Sequence, residues 1–125
     1  MDKETFRIAV ASSDGIVVNQ HFGKSRLFFI YTVDEEEGIR LLERREVTPV
    51  CEGGNHDDER LRENLEKLKD CHYLCVARIG DGAARAAEEY NIESFESPGI
   101  IEESIEQLIK YIKIQKLFAL ERTVE

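Results

Sequence analysis

The sequence predicts an α/β fold with a mixed five-stranded sheet and helices on its faces. Three strand-like runs, residues 6–13, 26–33 and 39–47, come first with no helical pattern between them. A later run, Tyr73-Leu74-Cys75-Val76-Ala77, is apolar on both faces, as expected for a central parallel strand. Helical and strand patterns then alternate, which predicts right-handed β-α-β crossovers.

The first three strands are predicted to form an antiparallel meander. Phe6, Ile8 and Val10 lie on one face of the first strand, and Asp14-Gly15 signals the turn after it. Residues 16–18 form a short extended piece. The second strand is rich in aromatic and β-branched residues, and the third carries basic residues at its exposed positions.

The second half of the chain is predicted to alternate helices and strands. Residues 48–56 form a loop, because Pro49 breaks the strand and paired glycines free the backbone. Residues 121–125 are expected to be frayed. After the loop come a helix over 57–69, a strand over 71–79, and a helix over 83–90 with Asp81 as a candidate cap. A strand over 92–95 and a long helix follow, and the apolar stripe of that helix is Ile101, Ile105, Leu108 and Ile112.

Composition limits the classes of function. The 125 residues predict a single domain, 1–125, with its core at about 6–112. A net charge of −9 argues against nucleic acid and against anionic membranes. We find no apolar run of transmembrane length and no signal-peptide pattern, so the expected location is cytoplasmic. The three cysteines include no C-x-x-C pair, which argues against a disulfide framework and a zinc ribbon.

Acidic and basic residues are unevenly placed near the C-terminus. Seven Glu and no Lys or Arg lie between Ala86 and Ile109, and Lys110, Lys113 and Lys116 follow. This pattern favours a solvated helix whose basic end matches the helix dipole. The alternative is a docking surface for a basic partner.

His21 is the first candidate ligand. It lies in a polar loop, residues 19–23, between two predicted strands. Neutral imidazole is a good ligand for iron, Gly23 lets the backbone turn beside it, and Lys24 and Arg26 favour an anionic ligand. The alternative is an exposed or hydrogen-bonded loop histidine with no ligand.

The loop after the third strand supplies further candidates. Cys51 could ligate an iron–sulfur cluster through its thiolate, and Gly53 and Gly54 would let a bulky cluster approach the backbone. His56 is a possible third ligand. Each could instead be an ordinary residue, Cys51 of a partly buried loop and His56 near a helix start.

Two other segments contain candidates for the same site. Gly80 and Gly82 lie where the fourth strand turns into a helix, and the amide groups of a helix N-terminus attract anions. A plain tight turn is the alternative. Cys75 is predicted to be a core residue, Cys71 stays undecided, and both are expected on the same face of a strand.

Three stretches resemble the dinitrogenase iron–molybdenum cofactor biosynthesis family, which includes NifX-type carriers and the C-terminal domain of NifB-type proteins. They are residues 19–23, 51–54 and 70–82, within a likeness that covers roughly 6–112. The resemblance implies a ribonuclease H-like motif, to which the order β-β-β-α-β-α-β-α corresponds. It also implies a carrier that transiently binds an iron–sulfur cluster, either FeMo-cofactor or a precursor. The implied partner is a cofactor-assembly or acceptor protein, and we expect a monomer or weak homodimer.

Other functions were compared with this one. A regulatory or protein-interaction domain that binds a small anion, or no ligand, is the main alternative. A ribonuclease H-type nuclease needs carboxylates on the first strand, and residues 7–11 contain none. No nucleophile with an oxyanion site stands out, so we expect no enzyme activity.

Overall fold

The computed structural model describes residues 5–34, 37–52, 55–56 and 58–123. A 3-10 turn, η1, spans Phe22–Lys24. The strands are β1 Thr5–Ala11, β2 Val17–Val18, β3 Leu27–Asp34, β4 Gly38–Glu46, β5 Cys51–Glu52, β6 Asn55–His56, β7 Tyr73–Val76, β8 Glu93–Glu96 and β9 Gly99–Ile100. The helices are α1 Asp58–Lys67, α2 Asp81–Glu89 and α3 Ile101–Thr123.

The main sheet has five strands in the order β4-β3-β1-β7-β8. β1 pairs antiparallel with β3, and β3 pairs antiparallel with β4. β1 pairs in parallel with β7, and β7 in parallel with β8. The predicted mixed five-stranded sheet is therefore confirmed. Because β1, β7 and β8 are parallel, their carboxyl ends lie at the same edge of the sheet.

Both faces of the sheet are packed against helices. Ala9 and Ala11 of β1 belong to a buried cluster with residues of α1 and α2, among them Leu61 and Leu65. Neighbouring β1 residues face the other way and belong to a second cluster, which α3 covers. The predicted stripe of α3 is confirmed, since all four of its members are buried: Ile101, Ile105, Leu108 and Ile112.

Several boundaries differ from the prediction. Residues 48–56, predicted as a loop, contain a two-stranded ribbon of β5 and β6, and β2 pairs with β9 in another. The predicted strand over 71–79 is shorter, because Ala77 and Arg78 bond to residues 20–22 instead of extending β7 into the main sheet. Residues 121–123, predicted as frayed, continue α3. None of the helices in the described part of the chain is long and apolar enough to cross a membrane.

An ion-pair cluster lies near the amino ends of β1 and β7. Asp70 accepts hydrogen bonds from Arg45 at 2.6 and 2.8 Å and from Arg7 at 2.6 Å. Arg45 also donates to the Lys67 carbonyl at 2.6 Å, which ties β4 to the end of α1. The bonds from Arg45, followed by those from Arg7, hold the pKa of Asp70 well below its usual range. Ion pairing within the fold therefore accounts for this cluster of charged residues.

Candidate functional site

The loop that carries His21 lies at the carboxyl edge of the parallel strands. His21 forms an isolated parallel bridge with Arg78, just beyond β7. The Phe22 amide donates to the Arg78 carbonyl at 2.8 Å, and the Ala77 amide donates to the Gln20 carbonyl at 2.9 Å. The backbone therefore holds this loop against the continuation of a central strand.

The position of Phe22 explains why His21 faces solvent. Phe22 is only 2% exposed and packs on Phe28, with ring centroids 5.8 Å apart. His21 precedes η1 in extended conformation and is exposed. Its side chain makes no capping hydrogen bond to η1, although its carbonyl accepts from the Lys24 amide at 3.1 Å. A buried ring thus anchors the loop and leaves the imidazole accessible.

A polar network that the sequence analysis missed shapes the chain between β1 and His21. The Asp14 carboxylate accepts from the amides of Ile16 at 2.9 Å and Val17 at 3.2 Å, and these bonds lower the pKa of Asp14. The Asn19 side chain accepts a hydrogen bond from the Ser13 amide at 3.0 Å and donates one to the Ser13 hydroxyl at 2.9 Å. The Ser-Ser-Asp-Gly and Asn-Gln patterns were the available signal, because such residues bond to nearby backbone.

The turn between β7 and α2 is open. Gly80 caps the N-terminus of α2 in extended conformation, and a Cβ atom at Gly80 or Gly82 would meet no atom within 4 Å. Packing therefore demands neither glycine, and there is space beside both. Asp81 lies in the first turn of α2, so its predicted role as the cap was wrong. Glu96 accepts from the Ile79 amide at 2.9 Å and fixes the chain that enters the turn.

The ribbon of β5 and β6 lies next to the His21 loop. Cys51 and His56 are Cα partners in its antiparallel register. Cα atoms of β5 lie within 8 Å of Cα atoms of η1. The backbone therefore brings two predicted ligand positions close to the third. Gly53 and Gly54 lie outside the described residues, as do the side chains of Cys51 and His56.

The other two cysteines lie in the core. Cys71 belongs to the cluster under α1 and α2, and Cys75 belongs to the cluster under α3. They therefore face opposite sides of the sheet, and the prediction of a shared face was wrong because β7 begins only after Cys71. Burial raises the pKa of both thiols to about 12. Such thiols stay protonated and make poor metal ligands.

The electrostatics of the loop suit an anionic ligand. Lys24, Arg26 and Arg78 are all exposed on or beside it, although the chain has a net charge of −9. Within the described residues, no group of three His, Cys, Asp or Glu side chains could hold a metal ion. The arrangement offers an accessible imidazole, exposed cations on or beside the loop and an open strand–helix turn, and this chemistry suits an anionic ligand.

Comparison with known proteins agrees with the sequence resemblance. The chain is 35% identical over 111 residues to the FeMo cofactor biosynthesis protein NifB of Frankia alni, and the match covers 84% of this chain and 21% of the relative. It is 37% identical over 93 residues to protein NifY of Klebsiella pneumoniae, covering 73% of this chain and 38% of the relative. The chain thus spans about a fifth of the first relative and well under half of the second.

Solved structures show the same fold. An NMR structure of a candidate NifB protein from Thermotoga superposes with a TM-score of 0.53 at 19% identity, over 84% of this chain and 88% of that one. The profile of the dinitrogenase iron–molybdenum cofactor family matches residues 4–111, which is most of the sequence. The chain therefore belongs to the dinitrogenase iron–molybdenum cofactor biosynthesis family.

Proposed function

We propose that this chain is a non-catalytic carrier that transiently binds an iron–sulfur cluster, either FeMo-cofactor or a precursor of it. The observation that carries the proposal is the exposed His21, held by backbone bonds to Arg78 at the carboxyl edge of the parallel strands. This edge is where α/β sheets commonly bind ligands. Family membership supports a role in the biosynthesis of a metal cofactor.

The donor set fits a cargo that must be released. His21 would supply an imidazole ligand, and Cys51 and His56 would supply the others, since their backbone positions pair beside η1. A complete set of four cysteines would fix a cluster in place, whereas few protein ligands leave positions for the next protein. Gly53 and Gly54 would admit the cluster to this ribbon.

The turn at Gly80 and Gly82 would accept the anionic side of the cluster. The N-terminus of α2 begins there, and its amide groups and dipole favour negative charge. Lys24 and Arg78 add positive charge near the imidazole. The partner would be an assembly or acceptor protein in the cytoplasm, and the chain itself would do no chemistry on the cluster.

We also infer that the fold is a ribonuclease H-like motif. The strand order β4-β3-β1-β7-β8 supports this assignment, as does β3, which is antiparallel to both of its neighbours, β1 and β4. Three parallel strands then place their carboxyl ends at the edge proposed for the cargo.

An anaerobic titration with an iron–sulfur cofactor precursor tests the proposal, with visible absorption and iron content as readouts. We expect stoichiometric binding by the wild type and loss in His21→Ala and Cys51→Ala. The matched controls are His72→Ala, whose imidazole accepts from the Arg7 amide at 3.2 Å far from the loop, and Cys75→Ala in the core. Wild-type affinity in His21→Ala would sink the proposal.

A charge reversal at Arg78 tests the electrostatic part. Arg78→Glu should weaken precursor binding by about tenfold and reduce its salt dependence, because Arg78 is exposed and its backbone pairs with that of His21. Lys110→Glu makes the same charge change on an exposed position of α3 and should leave binding unchanged. If a variant that combines His21→Ala with Cys51→Ala still binds a small anion, the regulatory anion-binding domain is the better description.

A further inference from the structure

The two faces of the main sheet are covered unequally. α1 and α2 both pack on one face. Among the described elements, α3 is the one helix on the other face. The outer strands of five lie about 19 Å apart, and packed helices need about 10 Å each. One helix therefore covers about half of a face. α3 shares a buried cluster with Ile8 of β1, Cys75 of β7 and Phe29 of β3, so the open part of this face lies towards β4, where Leu41 is 54% exposed.

An apolar groove runs along the open part of this sheet face, between α3 and β4. Two cavities, of about 660 and 550 Å³, share Ile39 of β4 as a lining residue. Leu117 is 60% exposed at one end of this α3–β4 groove, and Ile16 is 65% exposed at the other. Leu41, 54% exposed, lies opposite Tyr31 on the same face of the sheet. A continuous apolar surface of this kind marks an interaction site.

The charges that α3 contributes to the groove form a self-complementary pattern, and Asp34 of β3 also lines the groove. Glu102 and Glu106 lie along the N-terminal half of α3, and Lys113 and Lys116 lie along its C-terminal half. A second copy related by a two-fold axis near Ile109 has its α3 antiparallel. Its basic half then meets the acidic half of the first copy, and the reverse holds as well. A two-fold interface requires this self-complementary pattern.

We propose that the α3–β4 groove binds a second copy of this chain, with the two α3 helices antiparallel. The contact is through side chains on the face of the sheet, because the β4 edge is poorly suited to strand pairing. β4 has a bulge opposite Ile30 and Tyr31. Four of its nine residues are exposed Arg or Glu, among them Arg40 and Arg44. Bulges and charges on edge strands oppose strand addition.

The α3 helix of the second copy would cover the open part of the sheet face at β4. Its apolar side chains would cover Ile39 and Leu41, and Glu106 of each copy would face Lys113 of the other. The mixed charge of the groove is what selects a second copy over a basic or acidic partner. None of residues 19–23 lines the groove, so this inference is independent of cluster binding.

Sedimentation velocity of the full chain, from about 1 to 500 µM, tests the inference. We expect a concentration-dependent dimer that weakens at high salt. Leu41→Asp should abolish it, since this exposed position tolerates the change in the folded monomer. Lys113→Glu should weaken the dimer by about tenfold, because like charges would then meet twice across the two-fold axis.

A charge swap makes the test specific for a second copy. Glu106→Lys combined with Lys113→Glu should restore the dimer, because opposite charges again face each other. Lys67→Glu on α1, at the far face of the sheet, should leave it unchanged. A monomer at every concentration would overturn the inference, as would a charge swap that fails to restore association or a Lys67→Glu effect as large as that of Lys113→Glu.

Discussion

Replacing Asp70 by Asn should destabilise the protein by an amount that depends on pH. Asp70 accepts three hydrogen bonds from two guanidinium groups. Exposed ion pairs contribute about 0.2–1 kcal/mol each. The Arg45 side chain is only 19% exposed and binds through two nitrogens, so its pair lies at or above the top of that range. Arg7 is 41% exposed and adds less. We expect a loss of about 2 kcal/mol at neutral pH.

The pH dependence follows from the direction of the pKa shift. Pairing with Arg45 and Arg7 lowers the pKa of Asp70 in the folded state below the value of about 3.9 in the unfolded chain. The carboxylate therefore contributes its full stability above pH of about 4, and this contribution is lost as pH falls towards the folded-state pKa. The gap between wild type and Asp70→Asn should then shrink by up to about 1.4 kcal/mol per pH unit.

Urea unfolding followed by circular dichroism, at several pH values from 7 to 2.5, measures this gap. Glu63→Gln, a carboxylate removed from the exposed face of α1, is the matched control and should change the unfolding free energy little. A gap below about 0.3 kcal/mol at pH 7 would refute the assignment of Asp70 as a structural ion-pair centre. A gap as large at pH 2.5 as at pH 7 would refute the electrostatic reasoning.

Two further predictions concern the turn after β1 and the buried thiols. Gly15→Ala should lower the unfolding free energy by about 2–3 kcal/mol, because φ is +77° and the new Cβ would lie 2.9 Å from the Phe29 ring. Gly38→Ala, at φ +79° with nothing within 4 Å, should lower it by only about 1 kcal/mol, and equal urea midpoints would contradict the steric argument. Cys71 and Cys75, with pKa values of about 12, should resist alkylation at pH 8 until the protein is unfolded, as mass spectrometry of labelled protein would show.

Most of the fold could be predicted because burial imposes a period on the sequence. The period of two placed Ile8 and Val10 on one face of β1, and the helical period identified the stripe of α3 that includes Ile105. The two-residue strands were not predictable, because a segment as short as Cys51–Glu52 shows no period. The true length of β7 depends on Arg78 bonding to a loop remote in sequence, which no local pattern reports.

The residue types of the candidate site could be predicted from the sequence. The hydrogen bonds that hold its loop were less predictable. His21 could be selected from the residues beside it, since an imidazole, a glycine and two cations suit an anionic cluster. Its bridge partner Arg78 could not, because only tertiary pairing brings the two together. Asp14 and Asn19 were visible as turn formers, but the amides they bond became known only from the structure.

The His21 loop is held in place by the protein's own packing and hydrogen bonds, and this has a testable consequence. Phe22 fills the core beside His21, and the Phe22 amide bonds to Arg78, so the loop has its packing and hydrogen bonds already. The His21 side chain is exposed and makes no capping bond. Binding free energy is therefore not needed for folding, unlike in small domains that fold only around a metal.

His21→Ala should accordingly leave the thermal midpoint of the cargo-free protein within about 2 °C of the wild type, because surface changes of this kind alter stability by under about 0.5 kcal/mol. Phe22→Ala should lower the unfolding free energy by about 3–5 kcal/mol, since it empties a core position beside the same loop. Differential scanning calorimetry of both variants makes the comparison. A large loss in His21→Ala would mean that the imidazole supports the fold, and any loss of cluster binding in that variant would then reflect the damaged loop instead of a missing ligand.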